Sequence, residues 1–588
     1  TEAIDDTVLG VAPLTRPDAD EMIGRMRARK LLGTFRGEAA VDREALVDVL
    51  LTLSQLAMDH TSLAEIDINP LIITPQGEPV AVDALITLTP PAQAPPPRQP
   101  VSPEAIGALF HPRSIAFVGA SATFGKWGHM LPHNTLGGGY EGEVFLVNPR
   151  GGMMAGHRVL PSIADLPKAV DLAVVTLPAA KVTGLIPELA AKGIRNMVLV
   201  TSGFGETGDQ GRDLEARVVA AARCHEILLL GPNTMGISNP HIRLHCTGAA
   251  AAPRPGSAAM VAQSGNLGTQ LLTFAEAQGV GIRAFCGSGN EAMITVEDYL
   301  EAFSADTRTR VVLLYLESVK EGRRFFSAAR RVSREKPIVL LKGGQTGAGH
   351  KAAASHTGAM ATDRRVFEAV CRQSGILMVQ HSMDLLDLAA AFSALPLPAG
   401  NRVAIMTLGG GWGVVTTDLC ARHGLTIPTL PPELVAEIDS LLPPFWSRAN
   451  PVDLVGDNDP DVPLKVMELL LDWEGCDAVI HLGVMGRGLF VKKLIAAVKR
   501  CDPKASDEIN QSALDLVAAF ETDFVSQIAG LMGRHGKPVV GVSLMKADDD
   551  KTVYAVAGSA HKAVIYETPE RAVKALSQMV RYARFRRS

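Results

Sequence analysis

The chain has 588 residues, 47% of them hydrophobic and 20% charged, which is the composition of folded protein rather than of disorder. Lys and Arg number 57 and Asp and Glu 62, a net charge of −5 that excludes a strongly basic nucleic-acid binder and supplies no polybasic membrane patch. No apolar run reaches the ~18 residues of a membrane-spanning helix.

Seven cysteines, widely spaced and without Cys-x-x-Cys, argue against a disulfide framework or a zinc site and for a reducing cytoplasm. The chain opens on Thr1 with no basic segment before an apolar core, which reads as a cut or processed start rather than a secretion signal. At ~100–200 residues per domain, three to five domains are expected.

The first hundred residues predict a helix over 43–58 and paired strands over 65–74 and 79–88. Residues 89–100, TPPAQAPPPRQP, hold six prolines in twelve positions and cannot enter a helix or a central strand. They predict a semi-rigid linker over 90–100 that closes a first unit, 1–89. Short β-branched runs then alternate with helical stretches: 114–120, 143–149, 172–178, 196–202 and 227–232. A second series covers 257–264, 282–289, 311–318, 337–344 and 376–382, and a third 402–410, 478–484, 538–544 and 563–568. Continuous apolar strands separated by helices indicate parallel sheets buried on both faces. The fold class is therefore α/β, with three doubly wound domains over 101–236, 237–398 and 399–588. A mostly helical insertion is expected at 506–533.

Ligands of open α/β sheets sit beyond the carboxyl ends of the strands. Three glycine loops occupy such places. Gly119-Ala-Ser121-Ala-Thr-Phe-Gly125 is either a phosphate cradle or a tight structural turn, and it is not the G-x-G-x-x-G of a dinucleotide site. Ser264-Gly265 and Gly409-Gly410-Gly411 each follow an apolar strand and open a helix. Consecutive glycines are costly in backbone entropy, which favours close approach to an anion over a bland turn.

The stretch KGGQTGAGHKAAASHTGAMATD, 342–363, shows no apolar periodicity and reads as a loop of small residues around His356. Small neighbours leave that imidazole uncovered; His350 is its rival. Glu317, ending the strand LLYLES, is either a solvated rim charge or a carboxylate that orients a histidine through its Nδ1–H.

Together these residues resemble the NDP-forming (ADP-forming) acyl-CoA synthetase, or acetate–CoA ligase, family, related to succinyl-CoA synthetase. The matching motifs are FVGAS at 117–121, VNP at 147–149, GPN at 231–233, QSGNLG at 263–268, YLE at 315–317, SHTGA at 355–359, NPVDL at 450–454 and TPERA at 568–572. The resemblance implies a Rossmann-like CoA-binding domain, two flavodoxin-like ligase domains and, in 1–89, the carboxyl-terminal part of an ATP-grasp domain whose nucleotide-binding lobe would precede Thr1 in a longer parent or be supplied by another chain. It implies formation of acyl-CoA from a carboxylic acid, CoA and ATP, through an acyl phosphate and a phosphorylated His356 whose loop carries the phosphoryl group to the ATP-grasp site. Glu317 would hold the tautomer, Ser264, Gly265, Gly410 and Gly411 would clamp phosphoryl oxygens, and Gly119, Ser121 and Arg150 would take the adenosine part of CoA. Asn69 and Asp83 would hold Mg²⁺ beside ATP or ADP. Relatives are commonly dimeric or higher, so a homo-oligomer is expected.

Several positions depart from the pattern. Arg150 stands where Lys commonly follows VNP, Thr234 where Cys follows GPN, and Thr362 where Gly is frequent. Trp412 and Trp446 would, if both line the acyl pocket, suit an acid larger than acetate. The competing readings are a catalytically incomplete CoA-binding or regulatory protein and a Rossmann dehydrogenase, the latter opposed by the missing fingerprint.

Overall fold

The computed structural model describes residues 6–34, 39–90, 98–346, 348–349, 363–456, 459–543, 545, 547 and 550–587. His350, His356, Thr362 and most of the proline-rich linker lie outside the described residues.

The amino-terminal unit is small. Helices Arg16–Arg25 and Arg43–Asp59 bury Ala19, Ile23 and Val47 between them. Two antiparallel ladders follow, Leu63–Ile68 with Ala84–Leu88 and Leu71–Ile73 with Pro79–Ala81. The expected pair of long strands is thus broken into two short ladders, because proline at 70 cannot donate to a continuous one. The outer ladder is apolar yet exposed at Leu85, Ile86 and Leu88. The unit is tied to the body by paired amide bonds between Val11 and Gln373 (2.7 and 3.0 Å) and by Arg330, which reaches Asp18 at 2.7 Å.

Three larger sheets carry the rest. The first runs Leu228–Leu230, Asn196–Leu199, Leu172–Val175, Ser114–Val118, Glu143–Val147 and His157–Leu160 in parallel, with Met153–Met154 antiparallel at the edge. The second has Pro255–Ala262 at its centre, flanked by Ile282–Gly287 and by Val311–Leu316, Ile338–Lys342 and Leu377–Val379. The third orders Val452–Asp453, Val403–Thr407, Ala478–Leu482, Val539–Val542, Ala563–Tyr566 and an antiparallel Val553–Tyr554.

The sheets are parallel in their centres and antiparallel at an edge. The largest departure from expectation is a hairpin, Gly236–Asn239 with Leu244–Thr247, which joins the second sheet antiparallel through Ile237 opposite Cys286. Its strands are four residues each and Pro240 follows directly, so no apolar run announces them. The helical insertion is one helix, Asp507–His535, preceded by Arg487–Cys501.

The second and third sheets share one core. Helix Ser382–Ala394 is buried at every residue from Asp384 to Ala394, apolar on every side but for two acids that find basic partners. It packs on the Pro569–Arg587 helix, with the Phe392 and Tyr582 rings edge-on at 5.4 Å. Arg571 of the TPERA motif closes this seam on Asp387 at 2.5 and 2.9 Å, and Lys574 reaches Asp384 at 2.7 Å. No helix among the described residues is long and apolar enough to cross a membrane.

Candidate functional site

The central strand of the second sheet ends at Ala262, and helix Gly265–Ala277 starts two residues after Gln263. Ser264 is its N-cap position, with an extended backbone and no side-chain cap bond, so its hydroxyl is not spent on the helix. Gly265 is required by packing: a Cβ there would overlap Met235 Cγ. First-turn amide groups point outward from such a helix start and favour negative charge.

Glu317 follows the neighbouring strand, Val311–Leu316. Gln263 binds the two loops together. Its Oε1 accepts from the backbone N–H of Glu317 (2.6 Å) and of Ser318 (3.0 Å), and its Nε2 donates to the Ser318 carbonyl (2.9 Å). Tyr315 donates its hydroxyl to Glu317 Oε1 at 3.2 Å, and burial raises the phenol well above its ordinary value, so it stays a donor. Lys342, ending the next strand, donates to the carbonyls of Glu317 and Gly343 at 2.6 Å each, and burial pulls its ammonium down. A Cβ at Gly343 would sit 2.6 Å from the Tyr315 hydroxyl and 3.3 Å from Glu317 Cγ. The chain therefore leaves the sheet toward the SHTGA segment directly against Glu317. His356 itself lies outside the described residues.

The third sheet repeats the strand–glycine–helix arrangement. Val403–Thr407 leads to Gly409, and helix Gly410–Arg422 begins there. Thr407 Oγ1 accepts from the Gly409 N–H (3.1 Å) and donates to its carbonyl (2.9 Å). A Cβ on Gly410 would lie 3.0 Å from Asp453 Oδ2, and one on Gly411 would have no protein atom within 4 Å. Asn450 of NPVDL ties the strand down, accepting from the Ile405 N–H at 3.0 Å and donating to the Val403 carbonyl at 3.0 Å. The two tryptophans separate: Trp412 is 44% exposed on the helix start, whereas Trp446 is 3% exposed and donates Nε1–H to Asp439 at 2.6 Å. Trp446 is packing, so the reading that both tryptophans wall an acyl pocket does not hold for it.

In the first sheet Gly119 has φ +98°, and a Cβ there would meet Thr176 Oγ1 at 2.7 Å. Asn148 of VNP donates to the Ala120 carbonyl (2.7 Å) and accepts from the Arg150 N–H (3.0 Å), which brings Gly119, Ser121 and Arg150 to one sheet end. The helix after this loop starts only at Trp127, so the loop does not run straight into a helix start as the other two do. Thr234, in place of Cys, is buried and satisfied: its hydroxyl donates to the Gly287 carbonyl and accepts from the Gly236 N–H at 3.0 Å.

Asn69 and Asp83 stand apart in the amino-terminal ladders. Both are exposed, and the Asn69 N–H donates to the Asp83 carbonyl at 3.3 Å, so the two residues are neighbours across the strands. No cluster of three or more His, Cys, Asp or Glu that could hold a metal occurs among the described residues. The residues that sequence reasoning left without a role are the ones that fix these loops: Gln263, Asn148, Tyr315 and Lys342. Three of them lie inside motifs, QSG, VNP and YLE, whose polar residue was the available signal.

Comparison with known proteins matches four family models in chain order. These are an ATP-grasp domain over 1–88, a CoA binding domain over 113–240, a succinyl-CoA ligase like flavodoxin domain over 255–392 and a Ligase-CoA domain over 403–492. Acetate–CoA ligase [ADP-forming] I subunit alpha of Pyrococcus furiosus is 40% identical over 353 residues, 59% of this chain and 76% of the relative. Acetate–CoA ligase [ADP-forming] II of Archaeoglobus fulgidus is 35% identical over 489 residues, 82% of this chain and 71% of the relative. Among solved structures, the dinucleotide forming acetyl-coenzyme A synthetase 1 of Ca. Korarchaeum cryptofilum, in complex with phosphate and ADP, superposes with a TM-score of 0.68 at 32% identity. The match covers 82% of this chain and 97% of that one.

Proposed function

The chain belongs to the ADP-forming acetate–CoA ligase family, and from that membership we propose how its own residues carry the reaction. It is an acid–CoA ligase of the NDP-forming class, acting on CoA and an adenine nucleotide. The observation that carries the residue assignment is the Gln263 bridge, which holds the Ser264–Gly265 helix start and Glu317 as one unit beside the point where the chain departs toward His356.

Phosphate attacks the acyl carbonyl of the thioester, and the thiolate of CoA leaves, giving an acyl phosphate. His356 Nε2 then attacks phosphorus, the P–O bond to the acyl group breaks, and the free carboxylate departs. ADP takes the phosphoryl group from the histidine to give ATP, and every step reverses for thioester synthesis. Glu317 accepts the Nδ1–H of His356 and steadies the charge that grows as Nε2 reacts. Tyr315 and the backbone bonds of Gln263 keep that carboxylate in place. First-turn amides at Gly265, with the Ser264 hydroxyl, hold phosphoryl oxygens from one side and those at Gly410 and Gly411 from the other. Gly119, Ser121 and Arg150 hold the nucleotide end of CoA.

Asn69 and Asp83 fit Mg²⁺ as two hard oxygen donors just beyond the ends of adjoining strands, the number the ion takes from protein when phosphates and water complete its shell. When bound, it neutralises phosphate charge. Acetate, named for the relatives, is the first acid to try. The seven cysteines, all free, suit a reducing cytoplasm.

The test uses the chain itself with acetyl-CoA and radiolabelled inorganic phosphate. Acid-labile label on the protein is expected, absent in His356→Ala and retained in His350→Ala. Label that survives His356→Ala, or is lost with His350, refutes the assignment.

A further inference from the structure

Helix Arg487–Cys501 buries none of its residues, and helix Asp507–His535 buries its own only from Phe524 to Met532. The two run antiparallel. Glu521 accepts from the backbone N–H groups of Gly486 (2.9 Å) and Arg487 (2.8 Å) at one end, Arg487 lies over the Phe520 ring at 5.5 Å, and Lys499 pairs with Asp507 at the other.

The hairpin covers only one flank of its apolar arc. At about 100° per residue, Val491 and Ile495 share the half-buried flank. Phe490, Leu494 and Val498 continue the same arc at spacings of four and remain 52, 51 and 42% exposed. Ile509 and Leu516, seven apart on the facing helix, are 72 and 73% exposed. An amphipathic helix is stabilised by burying such a face, and a 15-residue helix with no buried residue has done little of that.

The charges say what fits there. Arg487, Lys492, Lys493, Lys499 and Arg500 lie on the first helix, which has no acid. Asp507, Glu508, Asp515, Glu521 and Asp523 lie on the first part of the second, which has no base before Arg534. A basic helix beside an acidic one, both with apolar residue left uncovered, is a surface complementary to itself under a two-fold rotation.

We propose that this hairpin is the self-association surface of the protein: two copies pack their hairpins into an antiparallel four-helix bundle, the Arg487–Cys501 helix of each against the 507–523 segment of the other. The bundle buries the Phe490, Leu494, Ile509 and Leu516 side chains between basic and acidic rims. Because the surface lies outside the loops assigned to phosphoryl transfer, association and chemistry are separable.

Sedimentation velocity of the full chain across micromolar concentrations tests this. The unmodified chain is expected to sediment as a dimer. Phe490→Glu with Leu494→Glu is expected to sediment as a monomer with unchanged helical circular dichroism and unchanged histidine labelling. The pairs Lys492→Glu/Lys493→Glu and Glu508→Lys/Asp515→Lys, which touch no apolar residue, are each expected to weaken the dimer, and their equimolar mixture to recover it, since one unaltered basic helix then meets one unaltered acidic segment. A monomeric unmodified chain, a folded Phe490→Glu/Leu494→Glu chain that stays dimeric, or charge variants that do not complement each other would overturn the proposal.

Discussion

The second and third α/β units share a core and repeat one device, a parallel strand that runs into a helix through glycine, yet they use it differently. In the second unit Gly265 and Gly268 are dictated by packing, the first by Met235 and the second by Ala262, whose Cβ would be 2.7 Å from an added one. In the third, Gly409 and Gly411 face no protein atom within 4 Å, so packing does not ask for them. The units also bury opposite titratable groups. Glu297 of the second is fully buried, and His481 of the third is fully buried with neither ring nitrogen bonded among the described residues. The same motif thus reports architecture in one place and an approachable backbone in the other.

The seam offers the strongest way to break this comparison, since it presumes two units standing on one core. Removing Asp387 leaves Arg571 without its buried partner and is expected to cost about 3 kcal/mol, near the lower end for a broken buried pair. Calorimetry should show Asp387→Ala lowering a single transition that covers both units; a transition that splits, with only one half lowered, would mean that they are independent. The glycines sharpen the comparison next. Gly265→Ala should destabilise by about 1–3 kcal/mol, with Met235→Ala in the same chain restoring much of it, whereas Gly411→Ala should hold or raise denaturant midpoints and lower histidine labelling. Equal stability losses at both positions would erase the distinction.

The pH responses are the smallest effect when read per pH unit, and they run in opposite directions. Burial pushes the Glu297 carboxyl up to about 7. Its contribution is therefore complete below the ordinary value of 4.5 and is lost as pH rises toward 7. Burial pushes the His481 imidazole down to about 3, so its contribution is complete above 6.5 and is lost as pH falls toward 3. Each slope is about 1.4 kcal/mol per pH unit at most. Melting temperatures across this range should show Glu297→Gln flattening the rise-side loss and His481→Gln the acid-side loss; slopes that do not respond would deny either group its role.

The buried strands were legible because a sheet covered on both faces writes itself as uninterrupted β-branched residues, as in Ile338–Lys342 and Val539–Val542. The hairpin at Gly236–Asn239 was not, because four residues ending in Asn-Pro carry no such run and its pairing is decided by Cys286, far along the chain. At the site, Glu317 and Ser264 were legible through the motifs around them, YLE and QSGNLG, and Gly410 through its run of three glycines, since a single carboxylate or glycine at a strand end is too common to point anywhere. Gln263 and Asn148 went unassigned because an amide that bridges two loops has no spacing of its own; its meaning appears only when Glu317 and Ala120 are brought beside it. Trp446 misled for the converse reason, as its indole finds Asp439 at the end of the helix just before it.

The fully buried Ser382–Ala394 helix carries one more consequence. Because the cohesion of the last two units resides in side chains meeting across that helix, the short covalent connection around Ala399 and Gly400 adds little to it. A gene interrupted at that connection would encode two polypeptides that find each other again, so fission or fusion of such genes need leave the assembled enzyme unaltered.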